Sequence, residues 1–137
     1  MYAVWIETLK DKTGQKTRVF KKVISSETYA LSRFNQLELL QGAKNQKEWD
    51  LLDKYLSTQL YLEISKNTWV AAARFYFELR IKGLTVQSPI DCCIAQLAIE
   101  HGVLLLHRDN DFVNIAKVCP LMQKEWIFNN IDKDFLL

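Results

Sequence analysis

An α/β domain with a mostly parallel sheet is the fold class the sequence predicts, and three observations predict it. Short apolar runs recur along the chain, at "TYALS", "LYLEI" and "VLLL". Between them lie longer stretches whose apolar residues repeat at helical spacing. "VLLL" is apolar at every position, which suits a strand buried on both faces beneath covering helices. With 137 residues, 49% hydrophobic and 25% charged, the chain has the size and balance of one domain, 1–137, that can build a core.

Taken in order, "VWIETLKD" reads as a short helix with Trp5, Ile6 and Leu9 on one side, and "KTGQKT" as a polar turn. "VFKKVI" reads as helical, and "TYALS" as a strand. Ser32 then caps a helix over "RFNQLELLQGAK", with Phe34, Leu37 and Leu40 on its apolar face and a stop near Gly42. "QKEWDLLDKYLS" is amphipathic: Trp49, Leu52 and Leu56 are apolar while Lys47, Asp50, Asp53 and Lys54 are solvated. "LYLEI" is the next strand, and Asn67 or Thr68 starts a long helix that ends at Gly83. "SPIDCCIAQLAIEHG" repeats Ile90, Cys93, Ile94, Leu97 and Ala98 at helical spacing and ends at Gly102. "VLLL" is a strand, "DFVNIAKV" a helix and "EWIFN" a final strand.

Composition excludes several classes of function. Eighteen basic against sixteen acidic residues leave a net charge of +2, too small to announce a nucleic-acid binder and too small to exclude one. No apolar run approaches the roughly 20 residues of a membrane span, and Glu7 and Lys10 interrupt any leader-like apolar region. Three cysteines, two of them adjacent inside a helical pattern, read as buried core filler in a reduced, cytoplasmic protein. No Gly-x-Gly-x-x-Gly or phosphate loop is present, no serine sits in a nucleophile elbow, and His101 and His107 have no metal spacing with the cysteines. His101 fits a helix C-terminus; His107, at a strand end beside acids, is a candidate for a minor site role.

The acids carry the chemistry. Asp91 alone fits a helix start, three residues after Ser88 and two after Pro89. Asp111 alone fits a cap for a helix starting at Phe112, Asp109 a loop bend, and Glu38 a solvated helical glutamate. Combined, a strand-end Asp-x-Asp and a helix-start Asp can converge on one point. Carboxylates so close repel unless a cation neutralises them. Oxygen-only ligands select Mg²⁺ or Mn²⁺ over zinc, and such a site can hold phosphate oxygens and activate water.

"VWIETL", "QLELLQG", "SPIDCCIAQLAIEHGVLLLHRDNDF" and "NIAKVCPL" together resemble the PIN-domain ribonucleases, specifically the VapC-type toxins of toxin–antitoxin modules. The third stretch is specific in spacing as well as residue type. The resemblance implies a three-layer α/β/α PIN-like domain, Mg²⁺-dependent cleavage of RNA, a homodimer and a VapB-like antitoxin partner. It carries Glu38, Asp91 and Asp109 over as catalytic, metal-binding acids, with Asp111 as an accessory acid or helix cap. It implies in-line attack on a phosphodiester by metal-activated water. Arg33, Arg74, Arg80, Arg108 and Lys117 are candidates to position RNA phosphates, with ordinary surface charge as the alternative.

One departure sets an expectation of its own. The family pattern opens with a strand ending in an aspartate before the segment that matches "VWI", whereas here Met1 stands where that aspartate falls. The first strand and its acid are therefore expected to be absent, metal affinity to be weakened, and nuclease activity to be small or lost. A catalytically inactive PIN-like protein that dimerises and binds an antitoxin is the alternative function on the same residues.

Overall fold

The computed structural model describes residues 2–4, 29–107 and 109–125. Val4, the first residue of the helix expected over "VWIETLKD", is strand instead; the rest of that segment, the helix expected over "VFKKVI" and the last four residues of "EWIFN" lie outside the described residues.

Among the described residues, five parallel strands form one sheet: β1 (Tyr2–Val4), β2 (Tyr29–Ser32), β3 (Tyr61–Leu62), β4 (Leu104–His107) and β5 (Gln123–Glu125), in the order β3-β2-β1-β4-β5. The described helices are α1 (Arg33–Gln41), α2 (Gln46–Ser57), α3 (Lys66–Ile81), α4 (Pro89–Glu100) and α5 (Asn110–Ile115). The layered α/β/α architecture expected from the sequence is the one observed. The place that the sequence reading left empty is filled, however: Tyr2–Val4 is the central strand, paired as Ala3 with Ala30 on one side and Leu105 on the other. Strand order reverses between β1 and β4. In such sheets ligands bind beyond the carboxyl ends of the strands at that reversal.

Local chemistry sets the helix ends. Ser32 and Asn35 form a reciprocal capping box: Asn35 Oδ1 accepts the Ser32 N–H at 2.9 Å and Ser32 Oγ accepts the Asn35 N–H at 3.2 Å. Asn45 caps α2 by accepting the Glu48 N–H at 2.8 Å. The three expected glycine stops all fall at helix ends, Gly42 in ordinary right-handed geometry. Gly83 and Gly102 sit at φ of 74° and 62°, and the residues after them, Leu84 and Val103, donate back to Leu79 and Ala98 at 2.8 and 3.0 Å. This is the left-handed helix ending that only glycine adopts without strain.

Several boundaries and one face differ from the sequence expectation. Ser65 rather than Asn67 or Thr68 caps α3, "LYLEI" keeps only two residues in the sheet, and the last strand starts at Gln123. On α1 the inward residues are Asn35 and Leu39, while Leu37 is 62% exposed. The capping box explains this: it turns Asn35 inward, and the residue one turn later, Leu39, follows it.

The core gathers around α4, which packs along α3 and over β4. Cys92, Cys93, Ile94, Ala95, Leu97 and Ala98 are all buried, so this helix is apolar on nearly every side. That leaves Asp91 as its one buried acid. No helix among the described residues is long and apolar enough to cross a membrane.

Candidate metal centre

Two elements aim acids at the reversal point. Helix α4 opens with Ser88, whose Oγ accepts the Ile90 N–H at 3.1 Å, and with Pro89, whose missing N–H has no intrahelical partner to lose there. Asp91 follows in the same turn. Its carboxyl does not serve as the expected helix-start cap but faces Asp109 and Asp111. Strand β4 is apolar until its last residue and then releases the chain toward Asp109.

Asp109, not Asp111, is the N-cap of α5. Its Oδ1 accepts the Asp111 N–H at 2.9 Å, and the helix starts at Asn110 rather than Phe112. Asp111 is thereby freed for a different contact: its Oδ2 accepts the backbone N–H of Gln87 at 3.0 Å. Carboxylate oxygens of Asp91, Asp109 and Asp111 all lie within 4.8 Å of one another.

The electrostatics follow from this crowding. Burial, then the charges of Asp109 and Asp111, then a hydrogen bond with the Asp111 side chain, push the Asp91 carboxyl up to about 7. The charge of Glu38 on α1 adds to the same effect as the smallest contributor. Among the described residues no cation offsets it. A buried acid held this far from its ordinary value needs either a proton or a cation. The donor set is oxygen only and closely spaced, so it fits a hard divalent ion such as Mg²⁺ or Mn²⁺.

Of the residues singled out from the sequence, Asp91, Asp109 and Asp111 are brought together, and Glu38 stands outside that group while near enough for its charge to be felt. Arg33 starts α1 directly after β2, on the same edge of the sheet. Its Nε donates to Glu63 at 2.6 Å and its guanidinium lies 3.9 Å over the Tyr61 ring. Arg74 is engaged on its own helix, with Glu78 at 2.9 Å and Phe77. Lys117 donates to Asn114 at 3.2 Å. Arg80 is exposed near the end of α3. Arg108 lies outside the described residues. His101 takes the expected helix-end role, with Nδ1 2.9 Å from the Leu97 carbonyl.

Sequence reasoning missed two contributors. Gln87 acts through its backbone N–H, which no side-chain pattern reveals. Gln123 reaches the site region through His107, at 2.6 Å from its Nε2, a contact that depends on the β4–β5 register.

Comparison with known proteins bears on the family and the fold. The PIN domain family profile matches residues 3–118. Ribonuclease VapC11 of Mycobacterium tuberculosis and VapC ribonuclease Mb1587 of Mycobacterium bovis are each 32% identical over 123 residues, covering 87% of this chain and 91% of theirs. Among solved structures, VapBC2 from Rickettsia felis bound to a promoter DNA fragment matches with a TM-score of 0.72 at 21% identity, covering 92% of this chain and 98% of that one. VapBC-1 from nontypeable Haemophilus influenzae matches with a TM-score of 0.72 at 14% identity, covering 91% and 97%. At those identities the structures speak for the fold.

Proposed function

The chain belongs to the PIN domain family, on its VapC branch, and from that premise we propose that it is a divalent-metal-dependent endoribonuclease, the toxin of a toxin–antitoxin pair. The observation that supports this reading most is the convergence of Asp91, Asp109 and Asp111 at the carboxyl edge of the sheet, with Asp91 pushed up to about 7.

In this reading Asp91, Asp109 and Asp111 hold Mg²⁺ or Mn²⁺, and Glu38 completes the negative field from α1. The bound ion supplies a Lewis acid for the phosphate and lowers the pKa of attacking water. The chain's residues do the rest. Asp109 stays fixed because it caps α5, and Asp111 because Gln87 holds it. The ionised carboxylates orient water for attack in line with the scissile bond. Arg33 positions the RNA phosphates: its contact with Glu63 is an exposed ion pair, weak enough for a phosphate to replace. Arg74 and Arg108 are further candidates to contact RNA phosphates.

Partners follow from exposed apolar side chains. On α3, Val70, Phe77 and Ile81 fall along one stripe and are exposed, and Leu37 and Leu51 are exposed on α1 and α2. Such surfaces suit contact with a second copy and with a VapB-like antitoxin. Unpaired Cys92, Cys93 and Cys119 accord with a reducing, cytoplasmic setting.

A labelled RNA incubated with the purified chain tests the reading. Cleavage should need Mg²⁺ or Mn²⁺, stop with EDTA and vanish in Asp91→Asn. Cleavage that survives EDTA or the substitution would overturn it. The second reading, an inactive protein that binds an antitoxin, is favoured by one feature: the central strand's residues, Tyr2, Ala3 and Val4, are none of them acidic. Metal binding and antitoxin capture without any RNA cleavage would select it.

A further inference from the structure

His107 is fully buried at the end of β4, where a leucine would continue the run of Leu104, Leu105 and Leu106. A polar ring in that place costs free energy unless both nitrogens are satisfied. Both are. Nδ1 accepts the backbone N–H of Asp109 at 3.2 Å, and Nε2 lies 2.6 Å from Gln123 Oε1. The ring also packs on Phe112, with centroids 5.0 Å apart.

The Asp109 N–H removes the ambiguity that imidazoles and amides usually carry. A backbone N–H can only donate, so Nδ1 is bare and the proton sits on Nε2. Gln123 must then present its oxygen, as it does. The register permits the contact: Gln123 pairs with Leu105 and His107 with Glu125, so Gln123 reaches its diagonal neighbour on the same face of the sheet.

From β5 the contacts run unbroken to the acids. Gln123 orients His107, His107 holds the Asp109 peptide, Asp109 Oδ1 holds the Asp111 N–H, and Asp111 Oδ2 holds the Gln87 N–H. We infer that His107 is a positioning residue for the metal centre: oriented by Gln123, it fixes the Asp109 peptide and so the direction of the Asp109 carboxylate. The inference rests on the metal-centre reading above. Packing alone does not require an imidazole here, whereas aiming Asp109 requires an acceptor at the Nδ1 position. Groups that orient metal ligands in this way typically govern metal affinity by about 10–100-fold.

The test compares Mn²⁺ binding by titration calorimetry with thermal unfolding. His107→Leu fills the space but offers no acceptor; His107→Asn places Oδ1 close to where Nδ1 was. Mn²⁺ affinity should fall about 10–100-fold in His107→Leu, with no matching loss of unfolding temperature, and most of it should return in His107→Asn. Gln123→Leu, which leaves the acids untouched, should also weaken Mn²⁺. Equal Mn²⁺ affinity in wild type and His107→Leu overturns the inference, as does His107→Asn binding no better than His107→Leu. Should His107→Leu fail to fold, Gln123→Leu and the ¹⁵N spectrum of the wild-type imidazole decide: a proton on Nδ1 overturns it, a proton on Nε2 with weakened Mn²⁺ in Gln123→Leu supports it. Failure of the underlying reading looks different, because wild type itself would then bind no Mn²⁺.

Discussion

Asp109 Oδ1 accepts the Asp111 N–H at 2.9 Å, so one carboxylate both caps a helix and faces the metal centre. The two roles are separable. Asn caps a helix as well as Asp does but carries no charge. Asp109→Asn should therefore leave stability nearly unchanged while abolishing measurable divalent binding. Asp109→Ala should lose both, with about 1 kcal/mol of stability gone with the cap. Chemical denaturation paired with Mn²⁺ calorimetry on the two variants checks this. A large stability loss in Asp109→Asn would contradict it.

The Asp91 carboxyl, pushed up to about 7, sets a pH dependence. Its folded value is raised, so the folded chain holds a proton more tightly than the unfolded chain does. The stability this contributes is fully present below the ordinary carboxylate range and is lost as pH rises through about 7. For this group, EDTA-treated protein should be less stable at pH 8 than at pH 6. Saturating Mg²⁺ should reverse the order, because it binds the ionised acids. Urea denaturation at the two pH values, with and without Mg²⁺, reads this directly. The same stability difference with and without the ion would contradict it.

Burial pushes the Cys92 thiol up to about 12, the nearby Asp91 charge adds to this, and burial raises Cys93 as well. The thiolate is the reactive form. At pH 8 both thiols should resist iodoacetamide in the native protein and react promptly in denaturant. Peptide mass mapping distinguishes the positions. Native labelling at the denatured rate would show that α4 opens readily.

Thr68 is fully buried near the start of α3. Its Oγ1 accepts the Ser65 N–H at 3.0 Å and donates to Glu100 at 2.9 Å, joining α3 to the end of α4. Thr68→Val keeps the volume and removes both contacts. A loss of about 1–2 kcal/mol is expected in chemical denaturation, with Mn²⁺ affinity intact because the acids are untouched.

Much of this arrangement was legible in the residues, where its causes are local. Ser32, Ser88, Gly83 and Gly102 mark helix ends by chemistry confined to one turn, and each did so. Asp91 and Asp109 were legible because a helix start and a strand end both lie at the same edge of a parallel sheet. What escaped depends on pairing across distance or on the direction of a side chain. The exposure of Leu37 was hidden because apolar spacing alone cannot show that Asn35 turns inward to meet Ser32. The place of Tyr2–Val4 in the sheet was hidden because three residues carry too little pattern to mark a strand. The link from Gln123 to His107 needs the β4–β5 register, which no single segment encodes.

Position 87 meets Asp111 through its peptide nitrogen, and its own side chain is exposed. Nineteen of the genetically encoded amino acids can supply that nitrogen's hydrogen; proline alone cannot. The position is thus a natural mount for a fluorophore or spin label a short reach from the acids, able to report on ion loading without replacing any group that does the work.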